Sequence, residues 1–309
     1  MTFALVFPGQ GSQAAGMMAP YADLPAIHAT FDEASRVLGQ DLWQLAAEGP
    51  AETMNLTVNT QPLMLTAGVA VFRAWRELGG ALPKFMAGHS LGEYTALVAA
   101  GCVSFADALA LVQLRAKSMQ QAVPQGQGAM AALLGLDDDA VRAACAEAAQ
   151  GDVVQAVNFN APGQVVIAGN KAAVERAVQV AKSRGARRAV LLPVSGPFHS
   201  ALMKPATEHL AAKLAATEFK MPQVAVINNV DVAVETDPSR IRDALLRQLY
   251  NPVRWVEIIR FMAAAGVTSV MECGPGKVLA PLSKRIHDGM LGNALVDRAA
   301  LEQAAANLT

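Results

Sequence analysis

Phe85-Met86-Ala87-Gly88-His89-Ser90-Leu91-Gly92-Glu93-Tyr94-Thr95-Ala96-Leu97-Val98 reads as a short buried strand, a turn pinched by two glycines and the opening of a helix. Its centre is Gly-x-Ser-x-Gly. In that geometry the serine stands at the tip of a sharp strand-to-helix turn, and Gly88 and Gly92 permit backbone approach that side chains would block. The Ser90 hydroxyl is left facing a cleft. At the first turn of the helix the Leu91 N–H lacks an intrahelical partner, so it can donate to an oxyanion formed when Ser90 attacks a carbonyl.

Working outward, the chain of 309 residues is 53% hydrophobic and 17% charged, enough to bury a substantial core in one large domain with an insertion, or in two domains. The formal charge of −1, with Lys and Arg scattered, offers no field suited to nucleic acid or an anionic membrane. The first residues lack a basic n-region and no apolar run is long enough to span a bilayer, so a soluble cytoplasmic protein is expected. Cys102, Cys145 and Cys273 are isolated and lack metal-type spacing, as in a reducing compartment.

The N-terminal run Thr2–Phe7 is a buried-strand candidate, stopped by Pro8 and followed by Gly9-Gln10-Gly11-Ser12-Gln13. Gly9, Gly11 and Ala14 match a dinucleotide fingerprint, but Asp32 and Glu33 fall inside a helical pattern rather than at the end of a second strand. The alternative is that the glycines expose the Gln10 N–H to the cleft of Ser90 and complete an oxyanion hole. Thr60-Gln61-Pro62 reads as the opening of a helix that runs to Trp75. Ser104 reads as the cap of a further helix, on whose apolar side Arg115 falls between Leu111 and Met119. A cation there requires an account: a structural salt bridge or an arginine that snorkels to solvent on the one hand, or a substrate anion on the other.

Beyond Gly126 and Gly128 the pattern strand–helix–strand–strand–helix–strand over residues 129–194 is that of a ferredoxin-like subdomain. Residues 126–195 are therefore assigned to an inserted subdomain, and 1–125 with 196–309 to a larger α/β domain. Asp137-Asp138-Asp139 reads as capping at a helix start rather than as a metal site. Of five histidines, His199 on the turn Ser195-Gly196-Pro197-Phe198-His199-Ser200 is the best base for Ser90. His89 should diverge from its neighbour. No acidic third member is evident, so a backbone carbonyl is the expected orienting group for the imidazole.

Together, Gly9-Gln10-Gly11-Ser12-Gln13, Gly88-His89-Ser90-Leu91-Gly92-Glu93, Arg115, His199, Gln248-Leu249-Tyr250-Asn251-Pro252 and Gly274-Pro275-Gly276 resemble the malonyl-CoA:acyl carrier protein transacylases, relatives of polyketide acyltransferase domains. The resemblance spans nearly the whole chain. It implies an α/β-hydrolase-like core with a ferredoxin-like insertion, Ser90 as acyl nucleophile, His199 as base and Arg115 as clamp on the malonyl carboxylate. It further implies an oxyanion hole from the Gln10 and Leu91 N–H groups, a Gln248 carbonyl that orients His199, and Phe198 as an acyl-specificity residue. Phe198-His199 resembles the Phe-His that often ends the specificity stretch of malonyl-selecting relatives, whereas Gly196-Pro197 departs from the two residues usual before it; malonyl over methylmalonyl is the expected choice. The implied partners are malonyl-CoA and phosphopantetheinylated acyl carrier protein, with no further cofactor, no metal, no nucleic acid and no membrane; a monomer is implied too. Lys182, Arg184, Arg187, Arg188, Lys284 and Arg285 are candidates to dock an acidic carrier, the alternative being a solvated face. A serine esterase or thioesterase would share Ser90 and His199 but have no use for Arg115. An idle carrier-binding module would need none of the three.

Overall fold

The structure is a computed structural model that describes residues 2–308. In chain order the strands are β1 (Phe3–Phe7), β2 (Phe85–Gly88), β3 (Gly128–Leu134), β4 (Val154–Ala161), β5 (Gln164–Asn170), β6 (Arg188–Leu191), β7 (Ala225–Ile227), β8 (Ser269–Glu272) and β9 (Leu291–Ala294). They form two sheets. The larger is parallel throughout, in the order β7-β2-β1-β8-β9. Its central strand shows why the N-terminal run is apolar without alternation: Phe3, Leu5 and Phe7 face one core while Ala4 and Val6 face the other. A parallel strand covered on both faces can spare no polar position.

The second sheet is antiparallel, in the order β4-β5-β3-β6, and its two helices are Asp138–Ala149 and Lys171–Ser183. The order βαββαβ with those pairings is the ferredoxin-like arrangement expected for the insertion. Asp137 caps the first of these helices, accepting from the Ala140 N–H at 2.7 Å, which accounts for the acidic triplet. The second sheet is tied at β4 to the segment before the helix Trp255–Ala264, where the Phe159 N–H donates to the Val253 carbonyl at 3.0 Å and the Val253 N–H to the Val157 carbonyl at 2.8 Å.

Three features depart from the sequence reading. The helix expected to open at Thr60 begins a turn earlier, at Thr57, and runs to Glu77 with Pro62 in its interior. Proline there removes one backbone hydrogen bond, but the helix buries sixteen residues, Leu63, Leu65, Val69 and Trp75 among them, and that burial dominates. Strand β9 and the helix Arg298–Asn307 were not expected. β9 is an edge strand with Leu291, Gly292 and Asn293 exposed, so it carries no apolar pattern to read. No helix is long and apolar enough to cross a membrane among the described residues.

Candidate active site

The site is built where β1 and β2 end side by side, with Phe7 paired to Gly88. From Gly88 the chain turns through Ser90, whose φ of +52° is left-handed, and enters the helix Gly92–Ala99. Both glycines are required by space. A Cβ on Gly88 would lie 1.7 Å from the carbonyl carbon of Gly92, and one on Gly92 would lie 2.1 Å from the Phe7 carbonyl oxygen. The neighbouring loop after β1 is equally tight, since a Cβ on Gly9 would meet the His89 carbonyl oxygen at 2.5 Å. Gly9 is thus there for close approach to the elbow. No helix opens directly after Gly11 to receive a pyrophosphate, the next turn of helix being Ala19–Tyr21, so the dinucleotide alternative fails.

At the elbow, Ser90 Oγ and His199 Nε2 are 2.7 Å apart, and His199 Nδ1 is 2.8 Å from the Gln248 carbonyl oxygen. A carbonyl only accepts, so Nδ1 carries the proton and Nε2 presents its lone pair to the serine hydroxyl. Burial, reinforced by the positive charge of Arg115, pushes the imidazole down to about 3, so it is neutral and basic at Nε2 across the physiological range. His89 diverges as expected: its Nε2 meets Asn160 Oδ1 on β4 at 2.8 Å, and its ring packs beside Trp255. The N–H groups of Gln10 and Leu91 donate to no acceptor among the described residues, and both residues line the cleft beside Ser90.

Arg115 lies 1% exposed on the helix Phe105–Gln121. Its Nη1 donates to Gln61 Oε1 at 2.8 Å, and its Nη2 to Gln248 Oε1 at 2.9 Å and Ser90 Oγ at 3.2 Å. The face of Tyr94 lies beneath the guanidinium, 5.6 Å from ring centroid to Cζ. No carboxylate forms an ion pair with it among the described residues, so the structural salt bridge weighed from sequence is not what holds it. The cleft is small, about 100 Å³, and its other surfaces include Met119, Met130, Leu192, Val194 and Phe198. Phe198 is buried against Gly196, where a Cβ would come within 3.0 Å of the ring edge. That contact gives the departure at Gly196 a local reason.

Four groups in this site escaped the sequence reading. Asn229, after β7, accepts from the Ser90 N–H at 2.7 Å and donates to the Gly88 carbonyl at 2.7 Å, clamping the elbow from below. The Gln248 side chain donates to the Ser90 carbonyl at 3.0 Å and to Glu93 at 2.8 Å. Gln61 and Glu93 complete the set, and both are buried. Glu93 stood inside the quoted motif, and a charged residue in the first turn of a helix otherwise made of apolar and small residues was the available signal. Burial pushes its carboxyl up to about 7, against the pull of Gln248, the Asn229 N–H and Arg115. The three cysteines are free and buried, and burial raises Cys102 to about 11 and Cys145 to about 12, which makes them inert thiols.

Comparison with known proteins shows the family of the whole chain. The family described as acyl transferase domain matches residues 4–292. The malonyl CoA-acyl carrier protein transacylase of Salmonella typhimurium is 57% identical over 303 residues, 98% of each chain. A crystal structure of an acyl-carrier-protein S-malonyltransferase from Burkholderia pseudomallei is 59% identical with a TM-score of 0.97, covering 99% of this chain and 100% of that one. A malonyl-transacylase solved in complex with a type II PKS acyl-carrier protein is 54% identical with a TM-score of 0.98, again covering 99% and 100%. With identity and fold shared along its length, the chain belongs to the malonyl CoA-acyl carrier protein transacylase family of acyl transferases.

Proposed function

We propose that the protein transfers malonyl from malonyl-CoA to the phosphopantetheine thiol of acyl carrier protein, through a malonyl ester on Ser90, and so supplies extender units for fatty acid synthesis. One observation carries the acyl choice: a fully buried guanidinium, held by amides and a hydroxyl, 3.2 Å from Ser90 Oγ. A buried guanidinium that no carboxylate touches directly is incompletely paired, and a carboxylate one methylene away from the acyl carbon pairs it directly. Malonyl has that shape. A cavity of about 100 Å³ encloses a three-carbon acyl group and leaves the rest of the coenzyme outside.

In this reading His199 Nε2 removes the Ser90 proton as Oγ attacks the thioester carbon. The oxyanion is received by the Gln10 and Leu91 N–H groups, each donor of such a pair contributing about 3–4 kcal/mol. The C–S bond breaks and the proton passes from His199 to the CoA sulfur. The carrier's thiol then enters, gives its proton to His199, attacks the ester, and leaves malonylated as Ser90 recovers the proton. Parallel initial-velocity lines follow from this two-step exchange.

The remaining assignments are ours on the same footing. Residues 126–195 act as the inserted subdomain and 1–125 with 196–309 as the main one, supported by an antiparallel sheet whose strands all come from residues 128–191. A monomer suffices, because every group of the site comes from one chain. A cytoplasmic setting suits three free, buried cysteines. The acidic carrier docks on exposed cations; of those named, Arg184 is partly occupied by Glu147 at 2.6 Å, while Lys284 and Arg285 end the helix Leu279–Ile286.

Intact-protein mass spectrometry after brief mixing with malonyl-CoA or acetyl-CoA tests the reading. Wild type is expected to gain a malonyl mass and little acetyl, and Ser90→Ala to gain neither. Rapid CoA release with no adduct would instead mark a hydrolase.

A further inference from the structure

Beneath the reacting groups lies a carboxylate that the transfer described above does not use. Glu93 is one turn past Ser90 on the helix Gly92–Ala99 and is 2% exposed. Its Oε2 accepts from the Asn229 N–H at 2.9 Å and from Gln248 Nε2 at 2.8 Å. The other end of the same amide, Gln248 Oε1, accepts from Arg115 Nη2 at 2.9 Å. The neighbours settle which end is which: a guanidinium only donates and an ionised carboxylate only accepts, so the reversed amide would oppose both.

We propose that Glu93 is the internal counter-ion of Arg115, coupled to it through the Gln248 amide, and that an arriving malonyl carboxylate displaces it and makes it take up a proton. The proposal rests on Arg115 being the partner of the malonyl carboxylate. The charges dictate the rest. The empty site holds one buried cation and one buried carboxylate two hydrogen bonds apart. A second carboxylate on Arg115 leaves two anions to one cation among buried groups, and the repulsion between them strongly raises the pKa of one.

The other groups around Glu93 do not relieve it. Asp231 is the nearby anion and adds to the repulsion, although Arg247 holds it at 2.7 Å. The Tyr94 phenol is raised to about 12 by burial and stays neutral, as does the His199 imidazole. The Glu93 carboxyl already stands near 7 in the empty site, with Arg115 pulling it down, and loss of that pull moves it further up. Glu93 thus acts as a positioning residue for Arg115 in the empty site and weakens the grip on malonyl in the loaded one. An acyl group that must be handed on gains from that weakening.

Acylation itself is proton-neutral. The Ser90 O–C bond forms, the C–S bond breaks, and the hydroxyl proton ends on the CoA sulfur, which stays protonated at pH 7.5. Any net uptake therefore reports on the site. Wild-type enzyme without carrier is mixed with malonyl-CoA in weak buffer with a pH indicator, and the adduct is counted by mass. Uptake of up to about three-quarters of a proton per malonyl adduct is expected at pH 7.5, falling toward none at pH 6, and none with acetyl-CoA. Glu93→Gln should still form the adduct without uptake, with KM for malonyl-CoA lowered several-fold at pH 8. A full malonyl adduct without uptake in wild type at pH 7.5 overturns the proposal, and needs no variant to fold. Arg115→Ala separates the two readings. If it loses the malonyl preference while wild type shows no uptake, the clamp stands and the Glu93 relay falls; if it keeps the preference, both fall.

Discussion

The cleft has two walls, and they are built on different terms. The wall from the parallel sheet is polar and over-connected: Ser90, His199, Arg115, Gln248, Asn229 and Glu93 hold one another at 2.7–3.2 Å, and Gly88 and Gly92 leave no slack in the backbone. The wall from the inserted sheet offers Met130 together with Leu192 and Val194 just past β6, and its polar contribution, Asn158, has a buried Oδ1 without a partner among the described residues. A buried polar group left unpaired is expensive, so a wall of such groups must be fixed as a unit. Apolar side chains need only fill space and can be exchanged for others of similar size. On the function proposed above, chemistry and the carboxylate clamp belong to the first wall and the fit of the acyl chain to the second.

The sharpest way to break this division is to remove one member of the polar wall. Ser90→Ala should abolish the malonyl adduct outright in the mass assay. His199→Ala should lower the rate of adduct formation by about 10²–10⁴-fold, the usual worth of a general base. A rate that His199→Ala left intact would move the base elsewhere. Arg115→Ala comes next: removing the guanidinium should cut the malonyl-to-acetyl ratio by about a hundredfold, as befits a buried ion pair worth roughly 3–5 kcal/mol. Competing both thioesters in one reaction reads that ratio directly, and an unchanged ratio would remove the clamp from the polar wall.

How legible the two walls were in sequence follows from how local their signals are. The elbow was legible because its requirement is short-range: glycines two residues either side of Ser90, a strand before and a helix after. Arg115 was legible because a cation among apolar positions of a helix demands a reason. Much of the fold followed from periodicity; the exceptions include β9, which exposes its side chains, the helix Arg298–Asn307 and the true start of the helix Thr57–Glu77. Gln248 was reached only through resemblance, and only for its carbonyl. Asn229 and Gln61 were not legible, because an amide has no spacing rule. Their partners lie 139 residues away for Asn229 on Ser90 and 54 for Gln61 on Arg115, distances that only the fold closes.

Within the polar wall, two buried titratable groups pull stability in opposite directions with pH. His199 is held below its ordinary value, down to about 3, so the stability it contributes is full above pH 6.5 and is lost as pH falls through that interval. Glu93 is held above its ordinary 4.5, up to about 7, so its contribution is full below 4.5 and is lost as pH rises to 7. Across their overlap the two offset. Glu93→Gln removes one side, and should therefore gain on wild type between pH 5 and pH 8 by on the order of 3 kcal/mol, read from urea midpoints at the two values. A gap that does not move with pH would mean that Glu93 is already ionised at pH 5.

The smallest effect expected is the one that tests the second wall. Leu192 is half-buried just past β6 and lines the cleft opposite the polar groups. Truncating it removes none of the hydrogen bonds around Ser90, because the main-chain bond from its N–H to the Met130 carbonyl, 2.9 Å, is kept. Leu192→Ala should thus leave malonyl loading in place and make room for one branch on the acyl chain. One methylene in an apolar pocket is worth about 1–3 kcal/mol, so the malonyl-to-methylmalonyl ratio should fall roughly tenfold in competition. If the ratio holds, bulk is sensed on the polar side instead, and Phe198, wedged against Gly196, is the side chain placed to sense it. In that case enlarging residue 196 would push the ring into the cleft and tighten the choice further, and acyl selection would rest on the polar wall together with its chemistry.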